Sequence, residues 1–197
     1  MSRLVAQMFI SLDGVVQAPG DPGEDRSGGF RHGGWHLPYH DAAVHAWVER
    51  NNDNAAGYLI GRRTYDFFKD HWPAATEESV GSLARQMNEK TKWVVSATLD
   101  EPTTWAHCKT TAMPDSRRAV DELIGAVGGD LLLLGSTQLL GSLLTAGLVD
   151  RLHLVLDPIA LGQGARLFPL DGTTRWNLVE NQSTASGAVL LTYDAAA

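Results

Sequence analysis

The sequence is short of sulfur, of positive charge and of long apolar runs, and each shortage removes a class of function. Cys108 is the only cysteine, so no internal disulfide or paired-thiolate metal site can form, which suits a reducing cytoplasm. Its surroundings, WAHCKTT, carry no acyl-transfer signature beside His107, and the thiol reads as an ordinary side chain. Acidic residues outnumber Lys and Arg by 23 to 16, for a formal net charge of −7. No nucleic-acid or membrane partner is therefore expected, although a local basic pocket is compatible with that balance. No apolar stretch approaches the ~20 residues of a membrane span; the longest, LLLLGSTQLLGSLL, is interrupted by glycine and polar residues. The leading MSRLVAQMFISLDG meets Asp13 too early for a signal peptide, so the expected location is the cytoplasm. The G-x-G-x-x-G dinucleotide fingerprint is also missing.

What is present alternates in period. RLVAQMFISL (3–12) reads as a buried strand ended by Asp13-Gly14. Residues 17–36, dense in glycine and broken by Pro19 and Pro22, read as a long functional loop. Helical spacing follows at 41–53, then a short strand at 55–61 and a helix from Arg63 to Trp72. A helix is expected over 77–90, with Val80, Leu83, Ala84 and Met87 on one face. Strands are expected at 92–99 and 107–113, and a helix at 115–129, capped by Asp115 and stopped by Gly128-Gly129. DLLLLGS (130–136) has the unbroken apolar character of a strand buried on both faces, with a helix at 137–149 after it. A strand at 151–161 precedes two more at 176–183 and 187–194, which form a terminal antiparallel hairpin. With 197 residues and no linker or repeat, the expectation is one α/β domain over 1–197, a mixed, mostly parallel sheet flanked by helices.

Ligands of open α/β sheets bind beyond the carboxyl ends of strands, where helix amino-termini point inward. Three junctions here have that form. At Gly61-Arg62-Arg63-Thr64 two guanidiniums sit at a helix start, where they oppose the macrodipole unless an anion arrives; surface pairing with Asp66 and Asp70 is the plain alternative. At Gly135-Ser136-Thr137-Gln138 an apolar strand runs into glycine and two hydroxyls, which serve either a diphosphate or a simple helix cap. At Ser96 a hydroxyl ends a third strand. Taken together they suit an extended dinucleotide lying across the sheet edge, with the glycine-rich loop as lid.

Six segments then resemble a known family: MFISLDGVV, GWHLP (34–38), IGRRTYD (60–66), WVVSAT (93–98), LLLLGSTQLLGSLL (131–144) and DRLHLVLDPIALGQGARLFP (150–169). In that order they resemble the dihydrofolate reductase superfamily, in the branch shared with the C-terminal reductase domain of riboflavin-pathway deaminase-reductases. The resemblance implies a three-layer dihydrofolate-reductase-like fold and NADPH as cofactor. It places the cofactor's phosphates on Gly61, Arg62, Arg63 and Thr64, the adenosine 2′-phosphate near Ser96, and the diphosphate on Gly135, Ser136, Thr137, Gln138 and Leu139. It further implies a cytoplasmic reductase acting on a small heterocyclic substrate, pterin-like or ribosyl-pyrimidine-like, with Ser11 and Asp13 of SLDG beside the nicotinamide. Folate reductases carry their acid five positions after the tryptophan of W-x-L-P; here that position is His40, and Asp41 follows one residue later. One residue turns a helical side chain by ~100°. Asp41, His40 and Asp13 are the catalytic candidates, with Asp41 leading for the proton relay.

The remaining signals have competing readings. His36, His40 and His45 near Asp41 look like metal ligands, but Leu37-Pro38 breaks the helix that such spacing needs, and no metal is expected. His36 or His40 can instead line a substrate pocket or donate a proton. Trp35 either covers a planar substrate or pins the loop. The apolar strand at 151–160 and the hairpin suggest a homodimer. Two other functions fit the same residues: an NADP-binding module without turnover, and a flavin- or other nucleotide-binding protein.

Overall fold

The computed structural model describes residues 2–99, 104–168 and 173–196; Pro169, last of the 150–169 segment, lies outside them. One eight-stranded sheet organises the chain. Its strands are β1 (Leu4–Ser11), β2 (Ala55–Gly61), β3 (Thr91–Val95), β4 (Cys108–Thr111), β5 (Asp130–Leu134), β6 (Arg151–Asp157), β7 (Trp176–Ser183) and β8 (Val189–Ala195). Their spatial order is β4-β3-β2-β5-β1-β6-β8-β7. The first six run parallel, and β8 and β7 close one side as an antiparallel hairpin. This is the mixed, mostly parallel sheet expected from the alternating periods.

The pleat of β1 divides the interior. Leu4, Ala6, Met8 and Ile10 enter one core, where they meet Val120 and Ile124 of α5 (Arg117–Val127) and Leu140 and Leu143 of α6 (Thr137–Thr145). Val5 and Phe9 face the other side, which is covered by α1 (Ala42–Asn54), α2 (Arg62–His71), α3 (Glu77–Val80) and α4 (Leu83–Glu89). Helices on both faces of the sheet give three layers, and explain why β5, with Leu131, Leu132 and Leu133 all buried, needs no polar alternation. Among the described residues no helix is long and apolar enough to cross a membrane.

Several boundaries differ from expectation for local reasons. The helix expected over 77–90 breaks at Gly81, whose φ of 63° only glycine adopts cheaply, so α3 and α4 are separate. Ser116, not Asp115, caps α5 through a hydrogen bond from the Ala119 amide, and Gly128 in the left-handed region stops it. β3 ends at Val95 because Ser96 Oγ takes the amides of Thr98 and Leu99 and turns the chain.

Parallel pairing brings the carboxyl ends of β3, β2, β5, β1 and β6 to one edge. Ser96, Gly61, Gly135, Ser11 and Asp157 therefore stand at one rim, although they are far apart in sequence.

Candidate active site

β2 and β5 are neighbours in the sheet, and their corners touch. A Cβ on Gly61 would lie 2.5 Å from Ser136 Oγ, and one on Gly135 would lie 2.7 Å from Thr64 Oγ1. Glycine at both positions lets two helix amino-termini converge. Gly61 stands at the cap position of α2 and offers no side chain to its first-turn amides, which stay available to an anion. At the start of α6, Ser136 Oγ accepts from the Leu139 amide at 3.4 Å.

The two arginines part company. Arg62 Nε donates to Asp66 at 2.9 Å along the helix surface, as the plain alternative had it. Arg63 turns toward the glycine-rich loop instead of Asp70; its nearest carboxylate among the described residues, Asp25, is 3.9 Å away, and two-thirds of its side chain is exposed. Arg63 lines a cavity of about 560 Å³ together with Thr64, Gly135, Ser136 and Thr137. Gly61, Arg62, Ser96, Gln138 and Leu139 do not line it, Leu139 being packed in the core.

From the glycine corners the cavity runs under α2, α1 and α4, past Phe67, Phe68, Trp72, Leu83 and Met87. Gln7, Asn52 and Trp72 also line it, and each has a buried polar atom without a partner among the described residues: Gln7 Oε1, Asn52 Oδ1 and Trp72 Nε1. Such groups are costly unless something pairs with them. Gln7 was visible in the sequence as a lone polar side chain inside an apolar strand, but its role was not.

The carboxylates expected at the chemistry are occupied elsewhere. Asp41 caps α1, accepting the amides of Ala43 and Val44 through one oxygen and that of Ser186 through the other. These bonds hold its carboxyl well below the usual range, and it does not line the cavity. A carboxylate kept ionised by three N–H donors is a poor proton donor, so its place in the fold is that of a cap. Asp13 accepts from the amides of Leu161 and Gly162 and from Ser11 Oγ. The Leu161 amide and the Ser11 hydroxyl are the main reasons its pKa falls to about 2. Ser11 in turn takes the Val15 amide, so Ser11 and Asp13 tie β1 to the 161–162 turn. Trp35 is buried with Val15, Ala18 and Phe30 and donates to the Gln17 carbonyl. It pins the loop rather than covering a substrate.

The histidines line the cavity where those acids do not. His36 Nδ1 lies 2.7 Å from Asp157 Oδ2, a buried pair, and its ring stacks on Phe9 with centroids 3.8 Å apart. His36 Nε2 lies 3.0 Å from His40 Nδ1, His40 Nε2 lies 3.4 Å from His45 Nδ1, and His45 Nε2 lies 3.5 Å from Glu49. All three imidazoles line the cavity. Desolvation by the surrounding wall, with smaller effects from His36 and His45, pushes the His40 pKa down. The rings string out in a row instead of converging, and no group of His, Cys, Asp and Glu among the described residues is arranged to hold a metal. Asp157, the buried end of the row, escaped the sequence reading; its only signal was an aspartate closing an apolar strand before Pro158.

Comparison with known proteins agrees with this architecture. The chain superposes on a protein assigned to riboflavin biosynthesis from Shewanella sp. PV-4 with a TM-score of 0.73, at 18% identity over 99% of both chains. A pyrimidine reductase-like protein from Corynebacterium diphtheriae gives a TM-score of 0.61 at 15% identity, covering 100% of this chain and 92% of that one. In sequence, the chain is similar to "Uncharacterized protein YyaP" of Bacillus subtilis (strain 168), 29% identical over 138 residues, which is 68% of this chain and 71% of the relative. The model of the RibD C-terminal domain matches residues 2–190. This chain belongs to the RibD C-terminal domain family, a family with a reductase-type fold.

Proposed function

We propose that the chain is an NADPH-dependent reductase that transfers a hydride to a small heterocyclic substrate, pterin-like or ribosyl-pyrimidine-like. The observation that carries this reading is the mutual contact of the β2 and β5 corners, where Gly61 and Gly135 have no room for a Cβ. The contact sets the uncapped amides of α2, the Thr64 hydroxyl and the weakly paired Arg63 beside one another at the cavity mouth. That donor set fits a diphosphate. Ser96, whose Oγ accepts two amides, keeps its own hydroxyl proton to donate toward the 2′-phosphate.

NADPH bound there supplies the hydride from its nicotinamide C4. The chain's part is to orient the acceptor, exclude water and provide the proton. Phe67, Phe68 and Trp72 suit a planar ring, and the unpaired oxygens of Gln7 and Asn52 suit its N–H groups. With Asp13 and Asp41 engaged, His40 is the proton donor of this reading. Exposed Leu178 and Val179 on edge strand β7 support a homodimer, which the sedimentation mass in solution checks.

Titration with NADPH and NADH is the test. Binding of NADPH below about millimolar levels, and tighter than NADH, is expected; failure of both to bind at that level overturns the proposal. The engagement of both carboxylates favours a second reading, an NADP-binding module without turnover. NADPH binding without oxidation across pterins, flavins and ribityl-pyrimidine precursors would select it.

A further inference from the structure

Five side chains stand in line, the three imidazoles along the cavity and a carboxylate at each end: Asp157, His36, His40, His45 and Glu49. Four contacts join them, three of hydrogen-bond length at 2.7, 3.0 and 3.4 Å and a final ion-pair contact at 3.5 Å. Every ring nitrogen of the three imidazoles is used. Each contact is satisfied by one hydrogen; with none, two lone pairs face each other, and with two, the hydrogens collide. A neutral imidazole carries one N–H. Three neutral rings between two ionised carboxylates therefore fill three of the four contacts and leave one bare. One added proton fills them all.

We propose that this row is a proton relay that stores one proton beyond those of three neutral imidazoles, yields it to a ligand in the cavity and recharges from solvent at the His45–Glu49 end. Three fully bonded arrangements exist, one for each ring that carries the extra proton. With the extra proton on His36, His40 is protonated at Nε2 and faces a bare His45 Nδ1. With it on His45, His40 is protonated at Nδ1 and faces a bare His36 Nε2. The two differ only by a shift of the proton within each of two contacts, and no side chain need rotate. In these two His40 is neutral; the third puts the charge on His40, which the desolvation of that ring disfavours. The charge settles beside a carboxylate at either end. Asp157 Oδ1 has no partner among the described residues, so its carboxylate depends on His36.

The surroundings give the row a direction. His36 and Asp157 are buried, whereas His45 and Glu49 are partly exposed. Glu49 is fixed by the Ser82 amide and hydroxyl. Asp41 acts on His40 in the opposite sense to the two neighbouring rings, and Glu24, Asp25, Arg63 and His71 also line the cavity. The 3.4 Å contact between His40 and His45 is the longest of the three hydrogen bonds, and is the one a substrate heteroatom replaces. The transfer step rests on the reductase reading: hydride reaches the carbon of a C=N or C=O group, its heteroatom takes the proton from His40 Nε2, and oxidised cofactor remains. The row is then one proton short and takes one from water through His45.

Nitrogen-15 NMR of the histidine-labelled full chain tests the stored proton without any ligand. One imidazolium equivalent shared among the three rings near pH 7 is expected, with the His36 signal displaced in His45→Ala although the two rings do not touch. Three neutral rings at that pH, or a His36 titration unmoved by His45→Ala, overturns the proposal. In turnover, His45→Ala should slow reduction about tenfold with NADPH affinity unchanged, and imidazole in the buffer should restore the rate. A full rate without the ring, or a loss that imidazole does not repair, overturns the relay. Failure of NADPH to bind removes the reductase reading alone and leaves the NMR result to decide the stored proton.

Discussion

The two edges of the sheet use the same side chain in opposite ways. At the entering edge, Arg3 is held by Asp130 at 3.0 Å, Arg151 by both oxygens of Asp194 at 2.6 and 2.8 Å, and Arg117 by Asp150 at 3.0 Å. Each guanidinium is closed by a carboxylate of the chain itself, and the cavity there measures about 170 Å³. At the carboxyl edge Arg63 comes no nearer than 3.9 Å to Asp25, beside a cavity of about 560 Å³. An arginine with its own counterion ties strands together; one left weakly paired beside uncapped helix amides is arranged for an anion from outside. Net charge hides this difference, because both edges contribute the same residue types.

The largest break of that comparison is expected at the corner contact. Gly61 has a φ of −80°, so a side chain there meets no backbone penalty, only Ser136. Gly61→Val should therefore wedge the β2 and β5 corners apart and weaken NADPH about 100-fold, roughly 2.7 kcal/mol, in a fluorescence titration. Wild-type affinity in that variant would mean that the cofactor does not lie across the two corners. A smaller, paired test exchanges the arginines. Arg63→Ala should weaken NADPH about tenfold while leaving unfolding within about 0.5 kcal/mol of wild type. Arg151→Ala should lower unfolding stability by about 1–2 kcal/mol, its ion pair being partly screened, and leave cofactor affinity unchanged. Similar losses from both variants in either assay would erase the distinction between the edges.

The corners were legible in the sequence because they are local. Glycine followed by cations or hydroxyls at a strand-to-helix switch carries its chemistry within four residues, and IGRRTYD and LLLLGST do so. The mostly parallel sheet followed from alternating periods, and the hairpin from its two late strands. What sequence could not show was partnership across distance. His36 and Asp157 are 121 positions apart, and nothing in either segment names the other. Asp41 looked catalytic from its place after Trp35, yet an aspartate just before a helix is equally a cap, and only the Ala43, Val44 and Ser186 amides decide between the two. Loop packing was hidden in the same way: the glycine-rich 17–36 segment also holds Phe30 and Trp35, which bury themselves against Val15.

The smallest effect expected is also the one that separates cap from catalyst. Asparagine keeps a side-chain oxygen for the Ala43 and Val44 amides but presents no second acceptor to Ser186, so Asp41→Asn should cost about 1 kcal/mol or less at neutral pH. The sign with pH is fixed by the direction of the shift. The Val44 and Ser186 amides hold the folded carboxyl below its ordinary value of 3.8, so its contribution is complete above that value and is lost as acid titrates the group through its lower folded value. Urea unfolding from pH 6 down to pH 2 should thus show the difference between wild type and Asp41→Asn shrinking on the acid side. Turnover should change little, because the cap does not face the cavity. A loss of about 100-fold in rate with the acid limb of stability unaltered would return Asp41 to the chemistry and take the proton from the histidine row.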